Sequence, residues 1–186
     1  HTFISNLDPS ATFANAALAM TTTPTWNADF RVPDIIADWE RVLALYESEY
    51  GSEMPIDIWN MHIYAGANSD NDALYQARFV EAIEAFRDFT VTTRGGHYSN
   101  RPLILTEFNG TFVDDASNPV HTEENAARFI EEFDEELRLF WATGTLSQWF
   151  WFVSRGSGHI SIMTDSSTLS VTGEAYRDAA ANFENN

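Results

Sequence analysis

Glu107 is the residue whose type and place in this chain most call for a chemical role. It follows Leu103, Ile104, Leu105 and Thr106, a mostly apolar run introduced by Pro102. Proline is tolerated at the first residue of a strand, and an apolar run without alternation fits a strand buried on both faces of a parallel sheet. A carboxylate at the end of such a strand costs free energy to bury unless it is paired or works. The competing reading is a solvated acid in a loop, but the glutamate follows the strand without a break. Two other stretches carry compatible chemistry. In Pro55 to Ala65, PIDIWNMHIYA, Trp59, Met61 and Ile63 share one parity, and Asn60, His62 and Tyr64 share the other. Polar residues on one face of an otherwise apolar strand require a site or a buried network. In Leu146 to Ser154, LSQWFWFVS, the aromatic residues include Trp149 and Trp151. A tyrosine hydroxyl beside a carboxylate bonds its charged form and holds its orientation. A histidine can do the same or meet a substrate hydroxyl. A carboxylate held in this way suits attack or proton transfer.

The elements that must position these groups alternate. Thr2 to Leu7 reads as the end of a helix closed by Asp8-Pro9. Ala11 to Ala19 reads as a buried strand of small residues, with Asn15 on it. Thr21 to Pro33 is a long loop bearing Trp26 and Phe30, either core residues or a stacking surface. Asp34 to Tyr50 is an amphipathic helix with Asp34 as its N-cap and Gly51 at its end. After the His62 strand, Ala73 to Arg94 is a helix facing inward through Leu74, Phe79, Ile83, Phe86 and Phe89, stopped by Gly95-Gly96. After the Glu107 strand, Thr122 starts a helix running to about Trp141, and its acidic run Glu131, Glu132, Asp134, Glu135 and Glu136 reads as a solvated face. The Trp149 strand follows, then short β-like pieces at His159 to Met163 and Thr168 to Val171. A helix over Glu174 to Phe183 closes the chain. Strand–helix alternation of this kind predicts an α/β fold of parallel (β/α) units. In such a barrel the strand ends carrying His62 and Tyr64, Glu107, and Trp149 and Trp151 lie on one face.

Composition narrows the classes. The chain has 186 residues, 44% hydrophobic and 14% aromatic, enough for one domain with a real core over 1–186. Asp and Glu number 28 against ten basic residues, all arginine, for a net charge of −18. Such a chain is not expected to bind nucleic acid, whose phosphates must be met by Lys and Arg. No run is long enough to span a bilayer, so no membrane partner is expected. There is no cysteine, hence no disulfide framework and no thiolate chemistry. The acidic, lysine-free composition predicts a high-salt source, since salt relieves self-repulsion. The alternative is an ordinary acidic secreted enzyme. His97, His121 and His159 lack metal-ligand spacing with any acid, and Asp114 and Asp115 lack a calcium-loop pattern. No phosphate-binding glycine loop or nucleophile elbow is present. We therefore expect no metal and no cofactor.

A carboxylate, its tyrosine and histidine neighbours, and a flat indole on which a sugar ring can stack are the equipment of glycoside hydrolysis, where one carboxylate attacks and a second serves as acid/base. PIDIWNMHIYA, RPLILTEFNG and SQWFWFVSR together resemble strands six, seven and eight of the retaining (β/α)8-barrel glycoside hydrolases whose catalytic glutamates end strands four and seven. His62 and Tyr64 match the histidine–any–tyrosine of the sixth strand, and Thr106, Glu107 and Phe108 match the Thr-Glu-Phe of the seventh. FISNLDPSAT is similar to the helix and turn before the fifth. The resemblance covers almost all of the chain and implies the C-terminal half of a TIM barrel. It implies Glu107 as nucleophile, with Tyr64 and His62 positioning it. Trp151 is implied as the sugar platform, with Trp149 as second choice; Trp26 and Asn60 are further substrate-binding candidates.

The family's acid/base glutamate has no counterpart here, and Glu123 and Glu124 read as helix-start acids. A full barrel needs about 250 residues. The expectation is therefore a chain that begins after the fourth strand, with its acid/base outside it. A half-barrel exposes two sheet edges and an apolar inner face, which leaves three expectations: a piece of a larger secreted enzyme, a half that pairs with its own copy or with an N-terminal half, or a sugar-binding protein that does not cleave.

Overall fold

The computed structural model describes residues 8, 10–17, 19–21, 32–66, 72–111, 122–152 and 158–184. Four strands form one sheet in chain order: β1 (Ala19–Thr21), β2 (Trp59–Gly66), β3 (Leu103–Thr111) and β4 (Gln148–Trp151). Every pairing is parallel. Helices α1 (Val32–Tyr50), α2 (Asp72–Asp88) and α3 (Glu123–Ala142) separate the strands, and α4 (Val171–Glu184) follows the last. The result is a partial (β/α) barrel, the α/β class expected from the alternation.

The core lies between sheet and helices. Trp59, Met61 and Ile63 of β2 are fully buried, as are Leu103 and Leu105 of β3. Phe79, Ile83 and Phe86 meet them from α2, and Phe129, Phe133 and Leu137 from α3. Aromatic rings knit this layer edge to face: Trp59 meets Trp39 at 5.9 Å and Phe86 at 5.7 Å between centroids, geometry worth somewhat more than area burial alone. The acidic residues expected on the outer face of α3 are exposed at Glu131, Glu132 and Glu135 and partly covered at Glu136; Asp134 is the exception, buried beside Arg138 at 3.0 Å.

Local chemistry fixes the element ends. Thr122 caps α3 by accepting from the Asn125 N–H at 3.1 Å. The helix expected to reach Arg94 leaves α-geometry at Phe89 and ends in a turn of π-helix, Phe89–Arg94, a wider coil that tucks Phe89 and Thr90 into the core. Gly95 and Gly96 follow at positive φ. Two expectations need correction. Asp34 lies inside the first turn of α1 and is not its cap, because the helix begins two residues earlier at Val32. The first strand is also displaced. It pairs over Ala19–Thr21, and the small-residue stretch before it meets the chain entering β2 through the bridge from Ala14 to Ile58, where Asp57 and Ile58 N–H donate to the Phe13 carbonyl. The gap between is spanned by Asn15. Its amide mimics a peptide, accepting from the Asn60 N–H and donating to the Asn60 carbonyl at 2.9 Å. Below, Asp57 accepts from the Phe13 N–H at 3.0 Å and faces Arg101 at 3.5 Å, tying the starts of three strands together. The expected helix at Thr2 to Leu7, and Trp26, Phe30, Asp114, Asp115 and His121, lie outside the described residues.

Candidate active site

One irregularity builds the site. Along β2 and β3, Met61 pairs with Leu105, but the next residue, His62, pairs with Glu107. Against β4 the same excess recurs: Leu105 pairs with Trp149 and Phe108 with Trp151. Thr106 is therefore an extra residue in β3 relative to both neighbours, a β-bulge. Strict alternation would send Glu107 to the same side as Leu105, into the helices. The bulge instead turns both Thr106 and Glu107 toward Asn60, His62 and Tyr64. It also returns Phe108, almost fully buried, to the core side.

The groups then meet. The Tyr64 phenol donates to Glu107 Oε2. His62 Nδ1 stands 3.5 Å from the same oxygen. His62 Nε2 lies 3.0 Å from the Thr106 hydroxyl, which donates to Asn60 Oδ1 at 2.5 Å. The Glu107 side chain remains 31% exposed, so it is held yet reachable. Burial first, then the bond to Glu107 and its charge, push the Tyr64 phenol well above its ordinary range. Tyr64 therefore stays protonated and remains a donor at any ordinary pH. Among the described residues nothing hydrogen-bonds Glu107 Oε1. The arrangement leaves one carboxylate oxygen anchored and the other open, as attack on an electrophilic carbon requires.

Asn60, His62, Tyr64 and Glu107 are thus brought together. Asn60 serves from behind, as acceptor for Thr106. The two tryptophans are not part of this face. Trp151 is 8% exposed; it packs on Phe108 at 5.2 Å and Phe129 at 6.1 Å, and its indole N–H donates to the Ile160 carbonyl at 2.8 Å. Trp149 has the same parity and lines a small cavity against Ile130, Leu137 and Tyr176 of the helices. The physical reason is parity: odd positions of β4 face the helix layer. The aromatic residue on the Glu107 side is Phe152, 39% exposed, its ring 6.1 Å from that of Tyr64 and nearly perpendicular to it. Reading the tryptophans by type alone missed Phe152; carrying the buried parity of Trp149 and Trp151 through the strand would have found it.

Among the described residues no group of three or more His, Cys, Asp or Glu side chains could hold a metal ion, and no helix is long and apolar enough to cross a membrane.

No family model matches the chain, and no curated protein matches it. Solved structures do. An endo-β-1,3-glucanase of glycoside hydrolase family 128, subgroup I, from Amycolatopsis mediterranei, solved with laminaritriose, superposes with a TM-score of 0.59 at 19% identity over 95% of this chain and 62% of its own. A subgroup II endo-β-1,3-glucanase from Pseudomonas viridiflava gives a TM-score of 0.54 at 16% identity, over 94% of this chain and 57% of its own. A glucosidase from Croceicoccus marinus gives 0.52 at 12% identity, over 97% of this chain and 34% of its own. At these identities the likeness is one of fold, and the chain spans under two thirds of each of these structures.

Proposed function

We propose that this chain is the nucleophile-bearing part of a glycoside hydrolase that cleaves β-linked glucan with retention of configuration. The observation that carries the reading is Glu107, midway along the parallel strand β3 and not at its end as the sequence suggested, anchored through one oxygen by Tyr64 and flanked by His62. Fold likeness to β-1,3-glucanases supports the substrate class. Glu107 attacks the anomeric carbon and forms a glycosyl-enzyme ester. Tyr64 holds the carboxylate and stabilises its charge before attack. Phe152 offers the apolar face for a sugar ring, Trp151 being buried in the core. The acid/base carboxylate that protonates the leaving oxygen, about 5–5.5 Å from the nucleophile in a retaining enzyme, is supplied from outside this chain. Forms of the A. mediterranei glucanase with one or the other of two glutamates replaced were solved with laminari-oligosaccharides, which supports a pair of acids in that protein.

The test is hydrolysis of laminarin by the full-length protein, with and without Glu107→Gln. We expect the variant to lose turnover by more than roughly a thousandfold, as removal of a nucleophile does. Unchanged hydrolysis of every β-glucan tried would overturn the assignment. A second reading, glycan binding without cleavage, rests on one observation: among the described residues no second Asp or Glu is bonded to His62, Tyr64 or Glu107. Calorimetry and turnover on the full-length protein separate the two: cleavage of the bound glucan supports the hydrolase reading, and binding without turnover supports the binding one.

A further inference from the structure

Thr106, the residue the bulge adds, stands between Asn60 and His62. Its hydroxyl has one hydrogen, and Asn60 Oδ1 takes it at 2.5 Å. The Asn60 main chain, from which that side chain reaches Thr106, is held on both its N–H and its carbonyl by the buried Asn15 side chain. The Thr106 oxygen then has only lone pairs to offer His62 Nε2 at 3.0 Å. A hydroxyl whose proton is spent can meet an imidazole nitrogen only if that nitrogen carries the hydrogen. Nε2 is therefore the protonated nitrogen of the neutral ring, and Nδ1 faces Glu107 Oε2 at 3.5 Å.

We propose that Thr106 is a positioning residue that locks neutral His62 in its Nε2–H form, so that Nδ1 presents a bare lone pair to Glu107. In this form His62 gives Glu107 no hydrogen, and among the described residues Tyr64 is the one hydrogen-bond donor on the carboxylate. Which nitrogen of His62 faces Glu107 is thereby set by a neighbour that never touches the reacting atoms. The inference rests on the reading of Glu107 as the working carboxylate only for its catalytic meaning.

The experiment is long-range proton–nitrogen NMR of the uniformly 15N-labelled protein, with the His62 signal assigned by its loss in His62→Gln. In the native chain with the ring neutral, we expect Nε2 in the protonated-nitrogen region and Nδ1 in the bare-nitrogen region. Thr106→Ser should keep this pattern. Thr106→Val, nearly isosteric but without an acceptor, should move the proton to Nδ1, while the signals of His97 hold still and report an intact fold. A native spectrum with the proton on Nδ1, or a Thr106→Val spectrum identical to native, overturns the inference. The native spectrum decides even where the valine variant fails to fold. Because the spectrum needs no turnover, Glu107→Gln without effect on hydrolysis would sink the hydrolase reading and leave the tautomer assignment standing. An unchanged valine spectrum would sink the tautomer assignment even where Glu107→Gln abolishes hydrolysis.

Discussion

Gly173→Ala is the substitution whose cost follows most directly from the structure. Gly173 lies in the first turn of α4, buried against the segment that follows β4. A Cβ there would stand 2.8 Å from the Ile162 carbonyl carbon and nearer still to its oxygen. Ordinary carbon contacts lie at about 3.5–4.0 Å, so the shortfall is about 1 Å. The obstacle is main chain and cannot rotate aside. It is also tied down: Ser170 N–H donates to the Ile162 carbonyl at 3.1 Å, the Ser170 hydroxyl donates to the Ser161 carbonyl while accepting from Gly173 N–H at 2.9 Å, and Trp151 holds the Ile160 carbonyl. Overpacking of this kind costs about 1–3 kcal/mol. Loss of the Ser170 cap adds about 1 kcal/mol, and the better helix propensity of alanine returns about 1 kcal/mol. The net is about 2 kcal/mol of lost stability, a fall in Tm of roughly 4–8 °C for a chain of this size. Urea and thermal unfolding followed by circular dichroism would measure it, with the exposed Val171→Ala as a control expected to stay within about 0.5 kcal/mol. A Gly173→Ala protein as stable as native, or more so, would refute the reasoning: the propensity gain would then stand unopposed and α4 would not rest on Ile162.

Other outcomes follow from the same geometry. Tyr64→Phe removes a hydrogen bond to a charged group, worth about 1.5–3 kcal/mol, and should lower kcat for laminarin about 10- to 150-fold with KM little changed; stopped assays at saturating substrate check it. Phe152→Ala should weaken oligosaccharide binding by calorimetry while leaving Tm nearly intact, whereas Trp151→Ala should cost about 3–5 kcal/mol of stability, read by urea unfolding. Burial raises the Asp134 carboxyl above its ordinary 3.8, against the opposing pull of Arg138. An acid raised by folding is more costly to ionise in the native state, so its contribution is best when protonated and is lost as pH rises from the unfolded value through the folded one. Asp134→Asn should therefore gain stability relative to native at pH 7 compared with pH 3, measured by paired melts. Finally, a net charge of −18 without a lysine predicts a Tm that climbs with added NaCl into the molar range; a flat response would dismiss a high-salt origin.

Much of this was legible in the residues. The alternation of elements, the two faces of PIDIWNMHIYA and the inward aromatics of α2 follow from periodicity, which burial enforces. The grouping of Glu107 with His62 and Tyr64 was reachable from placing them on neighbouring parallel strands, although they lie within β2 and β3 and not at the ends where the sequence reading put them. What resisted was parity. Two tryptophans in QWFW attract a sugar-binding role by type, but Phe108 and Phe129 claim Trp151 for the core, leaving a phenylalanine on the other face. The bulge did leave a trace: Leu103 and Leu105 are odd, while the next core residues, Phe108 and Gly110, are even. That slip by one is visible once the buried positions are known, and it is silent in composition. Asn15 left no trace, because its role as a substitute peptide depends on where β1 departs from β2.

The extra residue of β3 sits where the two faces of the strand exchange parity, and what it decides can be counted. Up to Leu105 the odd positions face the helices; beyond Thr106 the even ones do, at Phe108 and Gly110. Loss of the single codon for Thr106 would put Glu107 directly after Leu105 and still opposite His62, and plain alternation would keep the carboxylate beside Tyr64 and Phe108 in the core. What would go is the hydroxyl between Asn60 and His62. A lineage carrying this site could shed the bulge and keep the direction of its carboxylate, so a Thr106 that persists is kept for what its hydroxyl holds and not for the direction of the strand.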